Sequence, residues 1–287
     1  MTRENKPGNV KHPFLNGSDR VILIADFGRS GQGWLSYMLC YILNARYIEP
    51  YTFLRGIIFS SNAKALALTQ GNLPGREKTK YSMVIKTHEL PDPYFSLTDK
   101  VILLARDPRD VAVSGQARAI VRNETGTDVE TGAQTMLIGR DAPGAVAGPS
   151  LRERLNPLRA LKMSLLRSKL AYAYVTAKRW RGFYEAWEQI SITYKVTYES
   201  LHSDPKAALK SILKYLDFEA SDALIDEAIE VFSFESLTGR RKGSEEKGNV
   251  AFRKGVVGDY QNHFGPLHQK VFREVCGEIA SRWNYKL

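Results

Sequence analysis

Three groups of residues in this chain have the types and spacing to handle an anion. The first is the glycine-rich turn Gly28-Arg29-Ser30-Gly31-Gln32-Gly33, which follows the apolar run Val21–Ala25 and precedes the helical pattern Trp34–Leu43. Small residues let backbone N–H groups converge, a helix start adds partial positive charge, and Arg29 adds a full one. The spacing G-x-x-x-x-G-K-[ST] is missing, so the turn suits a phosphate-like group other than ATP with magnesium. The second is Lys86-Thr87-His88 at the end of an apolar run, a cation two residues from a titratable base. A single histidine is more often structural, whereas on a strand the two side chains share a face, which suits transfer of an anionic group. The third is Arg106 at a strand end with Ser114 about two helical turns on. Both could reach a phosphate. An Arg106–Asp110 pair capping the helix explains the same residues equally well.

The elements that must position these residues alternate in type. Apolar runs at 21–25, 83–85, 101–105 and 192–196 read as buried strands, and helical patterns occupy 34–43, 111–121, about 151–188 and 206–216. This alternation predicts an α/β fold in one domain spanning 1–287, a central parallel sheet flanked by helices, with a P-loop-like strand–loop–helix at its start. Pro108 suits a first helical turn and Asp204-Pro205 caps and opens another helix. Residues 123–149 and 239–258 break the pattern and read as long functional loops, the first an acceptor-side loop or lid.

Composition narrows the class. The chain has 287 residues, 43% hydrophobic and 25% charged, with a net charge of +10. That balance fits a soluble globular protein with an anionic partner. No stretch reaches the ~18 apolar residues of a membrane span, so no stable membrane insertion is expected. The N-terminus carries no signal-peptide pattern. Cys40 and Cys276 lie on separate helical patterns and read as buried thiols rather than a disulfide, which places the protein in the cytoplasm. Trp180, Phe183, Tyr184 and Trp187 recur at helical spacing and read as core.

Six ordered segments resemble the sulfotransferases that use 3′-phosphoadenosine 5′-phosphosulfate (PAPS). That family's loop P-K-S-G-T-T-W stands here as Phe27 to Trp34. Its K-T-H-L-P is matched by Lys86-Thr87-His88-Glu89-Leu90-Pro91, and R-[ND]-P-[KR]-D-V-x-V-S by Arg106 through Ser114. Y-E-D-[LM] appears as Tyr198-Glu199-Ser200-Leu201, T-S-F as Phe232-Ser233-Phe234, and R-K-G-x-x-G-D-W as Arg253 through Tyr260. The resemblance implies that Arg29, Ser30, Gly31, Gln32, Gly33 and Trp34 form the phosphosulfate loop. It implies that Arg106, Ser114, Arg253, Lys254 and Gly255 hold the 3′-phosphate, and that Tyr198 and Phe234 line the adenosine. Residues 239–258 would then cover the cofactor. His88 would act as base, Lys86 would bind sulfuryl oxygens, and Arg29 would neutralise the departing phosphate. No metal is implied. Two departures stand out: Arg29 replaces the family's lysine, and Gln32-Gly33 replaces paired threonines, so backbone amides and the Gln32 side chain must compensate.

The resemblance favours in-line sulfuryl transfer to a hydroxyl, or an amine, of a small natural product, sugar or lipid, in the manner of a bacterial-type soluble enzyme. It leaves a homodimer open. The alternatives are a P-loop nucleotide kinase or nucleotidase, which would need a lysine–hydroxyl pair after the loop, and a basic nucleic-acid-binding protein, which would need a groove-entering helix or an aromatic RNA-binding strand. None of these features is found, so no nucleic-acid partner is expected. Walls for the acceptor are sought in 92–98, in 123–149 and around Arg152, Arg154 and 172–187.

Overall fold

Strand β1, Val21–Asp26, is buried along its whole length, as expected of a central strand covered on both faces. It heads a computed structural model that describes residues 20–48, 63–91, 98–125, 164, 167–190, 193–244 and 253–287. Several expectations lie wholly or partly outside these residues: the loops 126–149 and 245–252, the acceptor wall at 92–97, and the helical pattern at 151–163 with Arg152 and Arg154.

Among the described residues, four further strands join β1 in one sheet: β2 (Arg46–Ile48), β3 (Met83–Thr87), β4 (Lys100–Ala105) and β5 (Thr193–Thr197), in the order β2-β3-β1-β4-β5. The pairings β1–β3, β1–β4 and β2–β3 are parallel. This is the expected α/β class. Register brings the ends of β1 and β3 level, with Ile24 opposite Lys86 and Ala25 opposite Thr87. At the other end the Asp99 carboxylate accepts from the Val21 amide at 2.7 Å and anchors the strand start.

The described residues fall into two compact units. The first takes in the stretches up to Asp26, 31–104 and 186–237. Helix α1 (Gln32–Leu43) packs on β1, β2 and β3, and short α2 spans Ala63–Ala67. Ile22, Ile24, Leu35, Met38, Val84 and Ile102 form the centre of its core.

The second unit takes in 27–30, 105–185 and 238–287. It contains α3 (Pro108–Thr125) and most of α4 (Lys169–Glu188). The remaining helices of the first unit follow in chain order: α5 (Tyr198–Ser203), α6 (Pro205–Tyr215), α7 (Asp222–Val231) and α8 (Phe234–Thr238), the last ending across the boundary. A 3-10 turn at Asp259–Asn262 and α9 (Pro266–Arg282), which packs on α3, close the second unit.

Helix α6 starts as its sequence predicts: the Asp204 carboxylate accepts from the Ala207 amide at 2.9 Å and Pro205 occupies the first turn. Trp180, Phe183, Tyr184 and Trp187 are all buried, as the core reading expects. Both cysteines are free and buried. Burial pushes the Cys40 thiol well above its ordinary range and the Cys276 thiol up to about 12, so both are inert hydrophobes.

Candidate functional site

The turn after β1 reverses through three left-handed residues, Gly28 (φ 94°), Arg29 (φ 62°) and Gly31 (φ 86°). Arginine in this region costs about 1–2 kcal/mol. Gly31 is the N-cap of α1, which has no side-chain cap and no acidic residue in its first turn. First-turn N–H groups without such a cap are the ordinary basis of an anion site. A Cβ on Gly31 would come within 2.5 Å of the Tyr198 ring, so only glycine fits both the φ and the space.

In the first unit the structure brings several predicted residues together. Tyr198 opens α5, where the Thr197 side chain caps by accepting from the Ser200 amide. Its ring lies across Gly31 and meets Trp34 edge-on at 6.3 Å. Gln32 turns inward. Its amide donates to the Ile24 carbonyl at 2.5 Å and the Thr87 carbonyl at 3.1 Å, stitching together the ends of β1 and β3. The side-chain amide expected to compensate for the missing threonines is thus committed to these two carbonyls. Gly33 follows in the same turn, and Phe234 is buried at the start of α8.

Lys86 and His88 diverge sideways. The Lys86 ammonium sits 5.8 Å from the Tyr47 ring on β2. His88, one residue beyond β3, points to β1 instead: its Nδ1 lies 2.5 Å from Asp26 Oδ1 and 3.1 Å from the Asp26 carbonyl. Asp26 is fully buried. The turn after His88 is pinned twice, by the Glu89 amide donating to Thr87 Oγ1 and by the Trp187 indole donating to the Glu89 carbonyl, both at 3.0 Å.

The second unit holds the other predicted residues. Arg29 Nε donates to Ser114 Oγ at 3.0 Å. Arg106 donates to the Arg29 carbonyl at 3.1 Å and to the Val256 carbonyl at 2.8 Å, and it stands 3.5 Å from Asp110. Asp110 also accepts from the amides of Gly258 (2.7 Å) and Tyr260 (2.9 Å). The ion-pair reading of Arg106 is thus observed, together with its hold on the turn through the Arg29 carbonyl. Ser30 is buried, with Oγ 3.4 Å from the Gly28 carbonyl. Arg253 and Lys254 both bond Asp259, at 2.5 and 3.1 Å, and Asn262 and His263 join the same carboxylate. Burial would raise the Asp259 carboxyl, but hydrogen bonds from Asn262, Arg253 and Lys254 outweigh it and hold the group well below the usual carboxylate range. Gly255 follows with φ 65°. The flanks of the basic loop are tied by the Gly243 amide to the Lys254 carbonyl at 2.8 Å.

The family model "Sulfotransferase domain" matches residues 19–284. The chain belongs to the sulfotransferase domain family. Sulfotransferase 1B1 of Mus musculus is 25% identical over 279 residues, covering 88% of this chain and 80% of that protein. The 3-alpha-hydroxysteroid sulfotransferase of Cavia porcellus is 21% identical over 292 residues, covering 97% and 89%. Among solved structures, mouse sulfotransferase SULT7A1 complexed with PAP shares the fold, with TM-score 0.55, 19% identity and coverage of 94% of this chain and 87% of that one.

Three supporting residues of this sulfotransferase domain escaped the sequence reading. Asp26 stands just past the apolar run Val21–Ala25 and before the turn. Trp180, read only as core, also donates its indole N–H to the Arg106 carbonyl at 3.1 Å. Tyr184 OH sits 3.5 Å from the Phe27 amide at the edge of the turn. Among the described residues, no cluster of His, Cys, Asp and Glu could hold a metal, and no helix is long and apolar enough to cross a membrane.

Proposed function

We propose that this chain moves the sulfuryl group of PAPS to a hydroxyl or amine of a small-molecule acceptor, such as a natural product, sugar or lipid, without a metal ion. One observation carries the reading: the loop residue Arg29 and the helix residue Ser114 are in hydrogen-bond contact, and Arg106 grips the same loop through the Arg29 carbonyl. Two guanidinium groups and a hydroxyl from separate segments thereby meet where the family resemblance calls for phosphate ligands. The residues fit the donor in another respect. At Gly31 a side chain would collide with Tyr198, so the backbone stays open to close approach of a phosphosulfate.

Bound there, PAPS supplies the sulfuryl group and leaves as the 3′,5′-bisphosphate. Arg29 and the amides of Ser30, Gly31, Gln32 and Gly33 hold the phosphosulfate end, with Arg29 offsetting charge on the departing oxygen. Trp34, Tyr198 and Phe234 hold the adenosine. Arg106, Ser114, Arg253, Lys254 and Gly255 hold the 3′-phosphate, with Arg253 and Lys254 exchanging the Asp259 carboxylate for it. Residues 239–258 cover the donor, and Lys86 binds sulfuryl oxygens. His88 takes the acceptor proton at Nε2, because its Nδ1 is engaged by Asp26. The buried free thiols Cys40 and Cys276 support a cytoplasmic setting.

Retention on an adenosine 3′,5′-bisphosphate resin, competed by the free nucleotide and not by DNA, tests the reading. Turnover with PAPS and an acceptor panel should be unchanged by EDTA. Loss of activity with EDTA, or elution by DNA, would sink it.

A further inference from the structure

Among the described residues, Asp26 is the one buried acid that the family's loop, base and phosphate segments leave unexplained. It is the only ionisable residue in β1, it is fully buried, and it ends the strand that leads into the turn. Taking a carboxylate out of water costs several kcal/mol unless a partner compensates. The ion-pair partner here is His88 Nδ1, 2.5 Å from Oδ1, a close contact without hydrogen-bond alignment, while the hydrogen bond of Nδ1 itself goes to the Asp26 carbonyl. The contact is built by the sheet: parallel register places Ala25 opposite Thr87, so the next pair along the two strands is Asp26 and His88.

We infer that Asp26 is a positioning residue for His88, the two forming an Asp–His pair that sets the tautomer of the proposed base and supports its protonated form. The inference rests on the reading of His88 as base. Both groups facing Nδ1, the Asp26 carboxylate and the Asp26 carbonyl at 3.1 Å, are hydrogen-bond acceptors. The neutral ring must therefore carry its proton on Nδ1 and present a bare Nε2. The side chain is 23% exposed, which leaves one edge open to an acceptor. As the acceptor oxygen bonds to sulfur and the sulfur–oxygen bond to the bisphosphate breaks, the acceptor proton passes to Nε2. The positive charge then forming on the ring faces the buried Asp26 carboxyl group. The pinned turn at Glu89 keeps the ring on this axis. Gln32, which ties Ile24 to Thr87, fixes the spacing of the two strand ends beneath the pair.

The test uses the full chain with PAPS and whichever acceptor the panel identifies. Asp26→Asn and Asp26→Ala should each lower kcat about 10- to 100-fold, the range for partners that orient a reacting group. Bisphosphate affinity and acceptor KM should stay within about twofold. Loss of donor binding in step with kcat would mark a merely structural role and overturn the inference. His88→Ala, run in parallel, separates the two levels. If it turns over normally, the base reading fails and the pair loses its purpose. If it loses a hundredfold or more while both Asp26 variants keep wild-type kcat, the base stands and the pair falls. A variant-free measurement covers the case in which neither Asp26 variant folds. Long-range 1H–15N correlation spectra of the wild-type imidazole at mildly alkaline pH should show the proton on Nδ1, and a proton on Nε2 would overturn the inference.

Discussion

The two units handle polar groups in opposite ways. In the first, polar side chains at the strand ends are few and committed to fixed partners: Gln32 to two carbonyls, His88 to Asp26, Trp187 to the turn at Glu89. In the second, charges are numerous and balanced by carboxylates, with Arg106 near Asp110, Arg109 on Asp107, and Arg253 and Lys254 on Asp259. Geometry fixed by strand register suits a group that must act at one atom, as a base does. Cations held by acids suit a site that takes up a multiply charged ligand, because a phosphate can accept the same charge-assisted hydrogen bonds that a carboxylate does. Under the proposed function, the base would then lie in the first unit and most of the cations that meet the 3′-phosphate in the second.

That assignment breaks if turnover and donor binding respond together to a change in either unit. The largest expected effect is on turnover. His88→Ala should lower kcat at least a hundredfold, since general-base help is worth about 10²–10⁴-fold, while leaving bisphosphate affinity within about twofold. Steady-state rates beside equilibrium titration with the bisphosphate decide it, and normal turnover would remove the base. Arg106→Ala should act in the converse sense. Losing a charge-assisted ligand worth about 1.5–3 kcal/mol predicts a roughly 10- to 100-fold weaker bisphosphate complex. Part of that loss comes through the turn itself, because Arg106 also holds the Arg29 and Val256 carbonyls. Unchanged affinity in this variant would take the second unit out of phosphate recognition.

How much of the molecule was legible beforehand depended on whether the signal was local. β1, β3, β4 and α6 could be read because a buried parallel strand is a continuous apolar run and because Asp204-Pro205 is a local helix start. β2 could not: Arg46–Ile48 has three residues and an exposed arginine, and it becomes a strand only by pairing with β3. Helix α7 was overlooked although Ser221 caps it by accepting from the Leu224 amide. At the site, the residue types of the loop and of Arg106–Ser114 carried the reading. Partner choice did not follow from type. Lys86 and His88 share a face by period, yet one goes to Tyr47 and the other to Asp26, because sheet order sets β2 and β1 on opposite sides of β3. Gln32 was expected to reach for phosphate, and instead two strand-end carbonyls take its amide.

The smallest expected effect is confined to acid and probes the charge balance of the second unit alone. Hydrogen bonds from Asn262, Arg253 and Lys254 keep the Asp259 carboxyl ionised in the folded protein well below its unfolded value, against the upward push of burial. A carboxylate with a lowered folded-state pKa contributes stability that is fully present above the unfolded value of about 3.9, and loses it as pH falls from there toward the folded one. Urea midpoints of the wild-type chain should therefore be insensitive to this group above about pH 5 and fall on going to about pH 3. In Asp259→Asn the part of that fall due to Asp259 should vanish, so the wild-type and variant curves converge as the acid is protonated. Curves that stay parallel from about pH 6 to about pH 3 would mean that Asp259 is not the acid that balances Arg253 and Lys254. Bisphosphate at saturating concentration offers a sharper version at neutral pH. If phosphate replaces Asp259 as the partner of those two cations, the ligand should stabilise Asp259→Asn at least as much as it stabilises the wild type.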